Sequence, residues 1–393
     1  MSEIPFTIES LCDGFDIPDR VQGFTDIPGG KVIFGCGTVS QVGEESKRLG
    51  ASKVLVVTDP GLAKTEAVGR VVRSIEAVGL SVYVFNKVHE NPTTHDVERC
   101  VVAARDAGVD LIVGLGGGSS MDTAKGCNFL LTNGGEMKDY WGVNKATKPM
   151  LPLIAVPTTS GTGSECQSFA VIADAESHAK MACGDKKAAA AVAILDPELT
   201  VTMPVTVTAH TGIDAISHAL ETAVCSKKTD ISSQYSRAGW ILLDSGFSRV
   251  LDNPNDLEAR ARMQLGAAFA GIAIETSMLG IAHSCANPLT AHYGLVHGQA
   301  VGTMLPHVIA FNSRAPEVAA VYESLYGGSL MSRVREHLKA CSMDKSLRDL
   351  GVEESSLELL STEAAKQWTA QFNPVPVEAV DLESVYRSAF ETV

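Results

Sequence analysis

The sequence predicts two domains of different class: an α/β domain built on a parallel sheet over residues 1–204, then an all-helical domain over 205–393. Length comes first, since 393 residues exceed what one hydrophobic core usually organises. Short β-branched runs alternate with amphipathic segments through about the first 200 residues, the grammar of βαβ units and a doubly wound sheet. After "DPELTVTMP" (196–204) those runs mostly disappear and Ala-rich helical patterns replace them, with Pro204 at the boundary.

In chain order, "KVIF" (31–34), "KVLVVTD" (53–59), "SVYVFN" (81–86), "DLIVGLGGG" (110–118) and "LPLIAVPTT" (151–159) read as buried strands. Between them, "VGRVVRSIEAVG" (68–79) and "HDVERCVVAARDAG" (95–108) read as helices. The second domain reads as helices at 207–224, 231–251, 257–275, 315–327 and 331–341. The stretch "LGAAFAGIAIETSMLGIAHSCANPL" (265–289) is long and apolar, but Glu275 and His283 interrupt it, so it predicts a buried core helix rather than a membrane span. There is no internal repeat of 20–50 residues.

Composition narrows the function. Hydrophobic residues are 45% and charged residues 20%, as in ordinary globular proteins. A formal net charge of -14 argues against nucleic acid or anionic membrane as partners, which need clustered Lys and Arg, yet leaves room for a local phosphate pocket. Nine cysteines, an odd number with no CxxC pair, argue against a disulfide framework and fit a reducing cytoplasm. The opening "MSEIPFTIESLCDGFD" is acidic and lacks the apolar centre of a secretory signal, so a cytoplasmic location is expected.

Two polar loops follow predicted strands. In "GLGGGSSMDTAK" (114–125), Gly116, Gly117 and Gly118 permit close backbone approach. The next turn's N–H groups, with Ser119, can cradle a phosphate at a helix N-terminus. Asp122 is expected in the first helical turn, where the helix dipole favours a carboxylate. The loop is neither a strict GxGxxG nor a Walker loop, so a ligand-free tight turn is the competing reading. In "PTTSGTGSE" (157–165), Thr158, Thr159 and Thr162 supply hydroxyls beside two glycines. Two such loops at carboxyl ends of parallel strands predict the walls of a nucleotide cleft in a Rossmann-like sheet. Asp59 ends a strand and suits a ribose 2′-hydroxyl, which would favour NAD over NADP; it also suits a plain turn or cap. It precedes the glycine loop by more than fifty residues, unlike the usual dinucleotide-binding order.

The helical half carries a second kind of chemistry. In "HTGIDAISH" (210–218), Asp214 and His218 lie four residues apart on one helix face. As an exposed pair they would add only about 0.2–0.5 kcal/mol; as ligands they are half of a metal site. Downstream, "GIAHSCANPLTAHYGLVHGQAVGTMLPH" holds His283, His292, His297 and His307. Buried imidazoles need partners, and a shared metal would satisfy several at once. Asp214, His218 and two of the downstream histidines would make a one-carboxylate, three-imidazole site suited to Fe(II), Zn(II) or another first-row ion.

Jointly, "GGGSSMDTAK", "PTTSGTGSE", "DPELTVTMP", "GIDAISHALE" and "GLVHGQAVGTMLPH" resemble, in order and over nearly the whole chain, the iron-containing alcohol dehydrogenase family. The resemblance implies metal ligands at Asp214, His218, His283 and His297, with Fe(II) before Zn(II). It implies pyrophosphate contacts at Gly116, Gly117, Gly118 and Ser119, further NAD(H) contacts at Asp122, Thr158, Thr159, Thr162 and Lys180, and Asp59 as NAD selector. It implies a dehydroquinate synthase-like architecture with the site in the cleft between domains, and a small alcohol or carbonyl substrate near Phe169 and Ile274. A homodimer or larger homo-oligomer is expected. Many members carry a further histidine four residues after the third ligand; here that residue is Asn287, which cannot titrate but can bond substrate or ribose. His292 is assigned a structural role.

The implied chemistry is hydride transfer between nicotinamide and an alcohol carbon, with the metal as Lewis acid. The competing functions are a polyol or hydroxy-acid dehydrogenase, a dehydroquinate synthase-like lyase, and a non-catalytic NAD-binding protein. The lyase would need more Lys and Arg around its anionic substrate than the helical half carries near its histidines.

Overall fold

A seven-stranded sheet organises the first of two units, Met1–Thr202 and Met203–Val393, in this computed structural model. The structure describes Leu11, Asp26–Ile27 and residues 30–177 and 179–391; most of the acidic opening stretch, including Cys12, lies outside the described residues. The strands are β1 (Asp26–Ile27), β2 (Gly30–Phe34), β3 (Lys53–Val57), β4 (Ser81–Phe85), β5 (Leu111–Gly116), β7 (Leu153–Pro157) and β10 (Val192–Leu195). Their order is β1-β2-β10-β7-β5-β3-β4. Neighbours from β2 to β4 pair in parallel, and only the edge strand β1 runs antiparallel.

Alternation within β3 shows why such a sheet needs cover on both faces. Leu55 and Val57 enter one core with Val97 and Cys100 of α3 (Thr94–Ala107) and Met121 of α4 (Gly118–Asn133). Val54 and Val56 enter the other, with Val42 of α1 (Val42–Arg48) and Val71 and Ile75 of α2 (Glu66–Ala77). Each side chain so buried contributes about 1.5–3 kcal/mol. Thr65 caps α2 by accepting from the Ala67 N–H, and Thr93 with Asp96 forms the capping box of α3.

The five strands read from the sequence are present, and five more among the described residues, β1, β6, β8, β9 and β10, lie where it gave no reading. β10 is a run of four buried apolar residues, too short for periodicity to separate strand from helix. β6 (Gly142–Val143), β8 (Phe169–Ala173) and β9 (Lys180–Gly184) form a small sheet in the order β6-β9-β8.

The second unit is all helical among the described residues: α5 (Val205–Val224), α6 (Asp230–Asp252), α7 (Leu257–Glu275), α8 (Ile281–Tyr293), α9 (His297–Asn312), α10 (Pro316–Leu325), α11 (Leu330–Ala340), α12 (Leu357–Ala365) and α13 (Ala379–Glu391). Ile213, Ile216 and Leu220 of α5 share one core with Trp240 and Phe247 of α6, Met263 of α7 and Ile281 of α8. The apolar stretch at 265–289 is two helices, not one. Thr276 and Ser277 turn their hydroxyls back on the Ile272 and Ala273 carbonyls at 2.8 and 2.6 Å, ending α7, and Gly280 precedes α8. No described helix is long and apolar enough to cross a membrane.

Candidate functional site

Helix α5 carries Asp214 and His218 one turn apart, both buried. His283 is the third residue of α8, and His297 is the first of α9. The three imidazoles converge on one carboxylate oxygen: Asp214 Oδ1 lies 3.4 Å from His218 Nε2, 3.4 Å from His283 Nε2 and 3.6 Å from His297 Nε2. Ligand atoms of Asp214, His283 and His297 all lie within 4.8 Å of one another. The His218 and His283 rings stack at 4.9 Å, and those of His283 and His297 tilt at 5.4 Å.

Close helix packing makes this convergence possible. A Cβ on Gly298 would lie 2.2 Å from the His210 carbonyl oxygen, so only glycine lets the start of α9 approach α5 this closely. His297 is 33% exposed while the Asp214, His218 and His283 side chains are at 6–7%, so the cluster is open on the His297 side.

The donor set fits a divalent first-row ion. Asp214 Oδ1 and His283 Nε2 are buried without an acceptable hydrogen bond, an arrangement that is costly unless something else engages them. Burial alone would raise the Asp214 carboxyl; His218, His283 and His297 outweigh it and hold it well below the usual carboxylate range. Burial would lower His283, but Glu221 and Asp214 push it up to about 9. Glu221 is the residue the sequence reading missed. Its Oε2 accepts from His283 Nδ1, and its Oε1 accepts from the Ala282 N–H at 2.7 Å. The signal was present: Asp214, His218 and Glu221 follow i, i+4, i+7 along one face of α5.

The first unit holds the second cluster. β3, β5 and β7 are adjacent and parallel, so their carboxyl ends lie together, with Val57 opposite Gly114 and Gly116 opposite Pro157. The sheet reverses its winding between β3 and β5, a switch point where ligands bind in such sheets. Asp59 thus reaches the glycine turn by strand adjacency despite its distance along the chain. Its Oδ1 accepts from the Gly61 and Leu62 N–H groups at 2.8 and 2.9 Å, while its Oδ2 would lie 3.7 Å from a Cβ on Gly116. It is therefore a turn-forming residue, and it stands beside the glycine turn as well.

Gly116 has φ +144°, a conformation other residues rarely adopt. Helix α4 starts at Gly118 without a side-chain cap, so backbone N–H groups at its start suit an anion. The hydroxyl loop packs against this turn. Thr158 donates its N–H to the Gly116 carbonyl at 3.0 Å, Thr159 faces Gly117, and Thr162 faces Gly118. Ser119 is the second residue of α4 and accepts from Thr123 through its carbonyl.

Asp122 corrects an expectation. It is the fifth residue of α4, beyond the first turn, so the helix dipole does not stabilise its charge. Burial dominates and pushes it up to about 6, against the opposing effects of Lys125 and a Ser164 hydroxyl at 3.1 Å. Lys125, also missed, is fully buried; its Nζ donates to the Ser164 carbonyl, the Ser164 hydroxyl and the Phe169 carbonyl at 2.6, 2.9 and 2.9 Å. It ties the glycine-loop helix to the hydroxyl loop. Burial likewise pushes Glu165 up to about 7.

The remaining candidates have partners of their own. Lys180 is exposed at the start of β9, its charge acting on Asp122. Phe169 packs its ring over Gly184, and Ile274 is buried in the last turn of α7. Asn287, one turn beyond His283, donates its amide to Gln367 Oε1 at 3.1 Å. His292 bonds Glu363 at the surface, and His307 bonds Ser388.

Comparison with known proteins decides the family. A model described as iron-containing alcohol dehydrogenase matches residues 29–197, and one described as the C-terminal part of the Fe-containing alcohol dehydrogenase family matches 208–390. The chain belongs to the iron-containing alcohol dehydrogenase family. It is 35% identical over 376 residues to the NAD-dependent methanol dehydrogenase of Bacillus methanolicus, covering 92% of this chain and 98% of that one. The crystal structure of a 1,3-propanediol oxidoreductase superposes with TM-score 0.89 at 30% identity, covering 93% of this chain and 98% of that one. A sulfoacetaldehyde reductase from Bifidobacterium kashiwanohense, crystallised with NAD+, gives TM-score 0.85 at 26% identity, covering 94% and 98%. Family membership makes the chain an oxidoreductase with a metal site.

Proposed function

We propose that this member of the family is a metal-dependent, NAD(H)-linked alcohol dehydrogenase and aldehyde reductase for a small alcohol or carbonyl. The convergence of three imidazole Nε2 atoms on Asp214 Oδ1 carries the reading. Asp214, His218, His283 and His297 hold the ion, with Fe(II) the proposed metal and Zn(II) the alternative. When bound, the divalent ion supplies Lewis-acid polarisation of the alcohol or carbonyl oxygen. NAD supplies the hydride acceptor.

The chain's own residues do the rest. The turn at Gly116, Gly117 and Gly118, with Ser119, receives the pyrophosphate, and Asp59 Oδ2 meets the ribose, which favours NAD. Thr158, Thr159, Thr162, Asp122 and Lys180 line the nucleotide. His297, the most exposed of the four metal-holding residues, marks the side from which substrate reaches the ion. Asn287 offers an amide where a histidine would titrate, so no proton passes through that position. Phe169 and Ile274 are proposed to bound the substrate. Methanol, 1,3-propanediol and sulfoacetaldehyde in the names of the compared proteins show how far substrate varies within the family.

The test is NADH and NADPH oxidation by metal-stripped protein, reconstituted anaerobically with Fe(II), Zn(II) or buffer, across a panel of aldehydes and ketones. Metal-dependent NADH oxidation by a small carbonyl supports the reading. A preference for hydroxy acids or polyols favours the other dehydrogenase function, and metal binding without carbonyl reduction overturns both.

A further inference from the structure

Glu221 has no role in the proposed chemistry, yet it is 4% exposed and spends both carboxylate oxygens on α8. One oxygen takes the ring N–H of a candidate ligand; the other takes the backbone N–H of the residue before it. We propose that Glu221 is a positioning residue for the metal: it keeps the last proton of His283 on Nδ1, so that Nε2 is the nitrogen offered to the ion, and it fixes the start of α8 against α5. The proposal rests on the reading of Asp214, His218, His283 and His297 as the ligand set.

The argument is one of proton inventory. A neutral imidazole has one N–H, and the nitrogen that donates leaves the other as the lone-pair ligand. An ionised carboxylate only accepts, so a ring nitrogen held by Glu221 must carry the proton. His283 Nε2 is then the ligand atom, and it already lies 3.4 Å from Asp214 Oδ1. Ring orientation alone would need one bond. The second, to the Ala282 N–H at 2.7 Å, serves a helix-start donor that has no partner within its own helix. A shift of α8 would therefore strain both bonds together. Space is kept for this contact by Gly280, where a Cβ would lie 3.0 Å from Glu221 Oε1 and 3.2 Å from Asn373 Oδ1.

Glu221→Gln tests the proton inventory, because glutamine keeps the shape but has one acceptor oxygen. If that oxygen serves the Ala282 N–H, the amide NH2 faces His283 Nδ1 and drives the ring proton onto Nε2, where the ion should sit. Metal-free full-length protein would be titrated with Zn(II) against a competing chelator, with circular dichroism checking that the variant is folded. The expected result is a folded variant whose Zn(II) affinity is weaker by roughly 10–100-fold. Wild-type affinity in Glu221→Gln overturns the proposal. Asp214→Asn, titrated alongside, separates the two layers: if it too binds like wild type, the ligand reading itself fails. If Glu221→Gln does not fold, 15N NMR of Zn(II)-loaded wild type decides. A protonated Nδ1 and metal-bound Nε2 on His283 support the proposal, and a metal-bound Nδ1 overturns it.

Discussion

The two clusters of this molecule are built from different materials. In the helical unit, the proposed metal site is made of side chains: one carboxylate oxygen lies 3.4–3.6 Å from three imidazoles. In the α/β unit, the proposed nucleotide site is made largely of backbone: a glycine with φ +144°, an uncapped helix start and a loop of threonines packed against them. The difference teaches where each is vulnerable. A side-chain site fails when one ligand is changed and leaves the fold standing. A backbone site fails when the scaffold holding it shifts, so stability and binding should fall together.

The largest effect should come from Asp214→Asn. Its loss leaves three imidazoles without the carboxylate they share, and metal affinity should fall by more than the roughly 10–100-fold that removal of an outer partner costs. Metal analysis after dialysis checks this, with circular dichroism expected to be unchanged. Lys125→Met should behave in the opposite way. It strips the buried Ser164 and Phe169 carbonyls of their donor and should lower stability in urea by about 2–4 kcal/mol. NAD affinity should drop with it, while metal content stays. A variant that loses NAD binding at full stability would break the comparison.

Next comes Glu165→Gln. The folded protein holds this carboxyl up to about 7, above the 4.5 of an exposed glutamate. Between those values the folded state binds more protons than the unfolded state, so stability falls as pH rises through that window. The substitution should therefore stabilise at pH 8, by roughly 2–3 kcal/mol, and have no effect below about pH 4.5. Equal gains at both pH values would contradict the assignment. Gly116→Ala is smaller, about 1–2 kcal/mol of backbone strain, but isothermal titration should show it as weaker NAD binding. Smallest is His292→Gln: its surface pair with Glu363 should be worth under about 1 kcal/mol. Turnover should not change.

Much of this was legible in the sequence because local pattern and global fold agree. Helix α7 spans the 257–275 pattern from end to end, the run at 31–34 lies within β2, and the β-branched runs at 53–59, 81–86, 110–118 and 151–159 each contain a strand. β10 was not legible, since four apolar residues carry no period. Asp122 was misplaced because the glycine loop gives no signal for which glycine is the first helical residue. For the same reason the cost of its burial was invisible. The Asp214–His218 spacing is legible because a carboxylate and an imidazole one turn apart are both metal-ligand types. Glu221, at the next step of the same face, is not, because glutamate on a helix usually reads as solvated surface. Lys125 is illegible likewise, since nothing in a sequence distinguishes a buried lysine from an exposed one. Asp59 was hard to place because strand order, not chain order, brings β3 beside β5.

The most direct test of the central claim is X-ray absorption on the Zn(II)-loaded protein, wild type beside Asp214→Asn. The account predicts a first shell of nitrogen and oxygen at about 2.0–2.2 Å, with outer-shell scattering from three imidazoles and loss of the bound ion when Asp214 is Asn. A sulfur shell, or the same imidazole spectrum in both proteins, would contradict it.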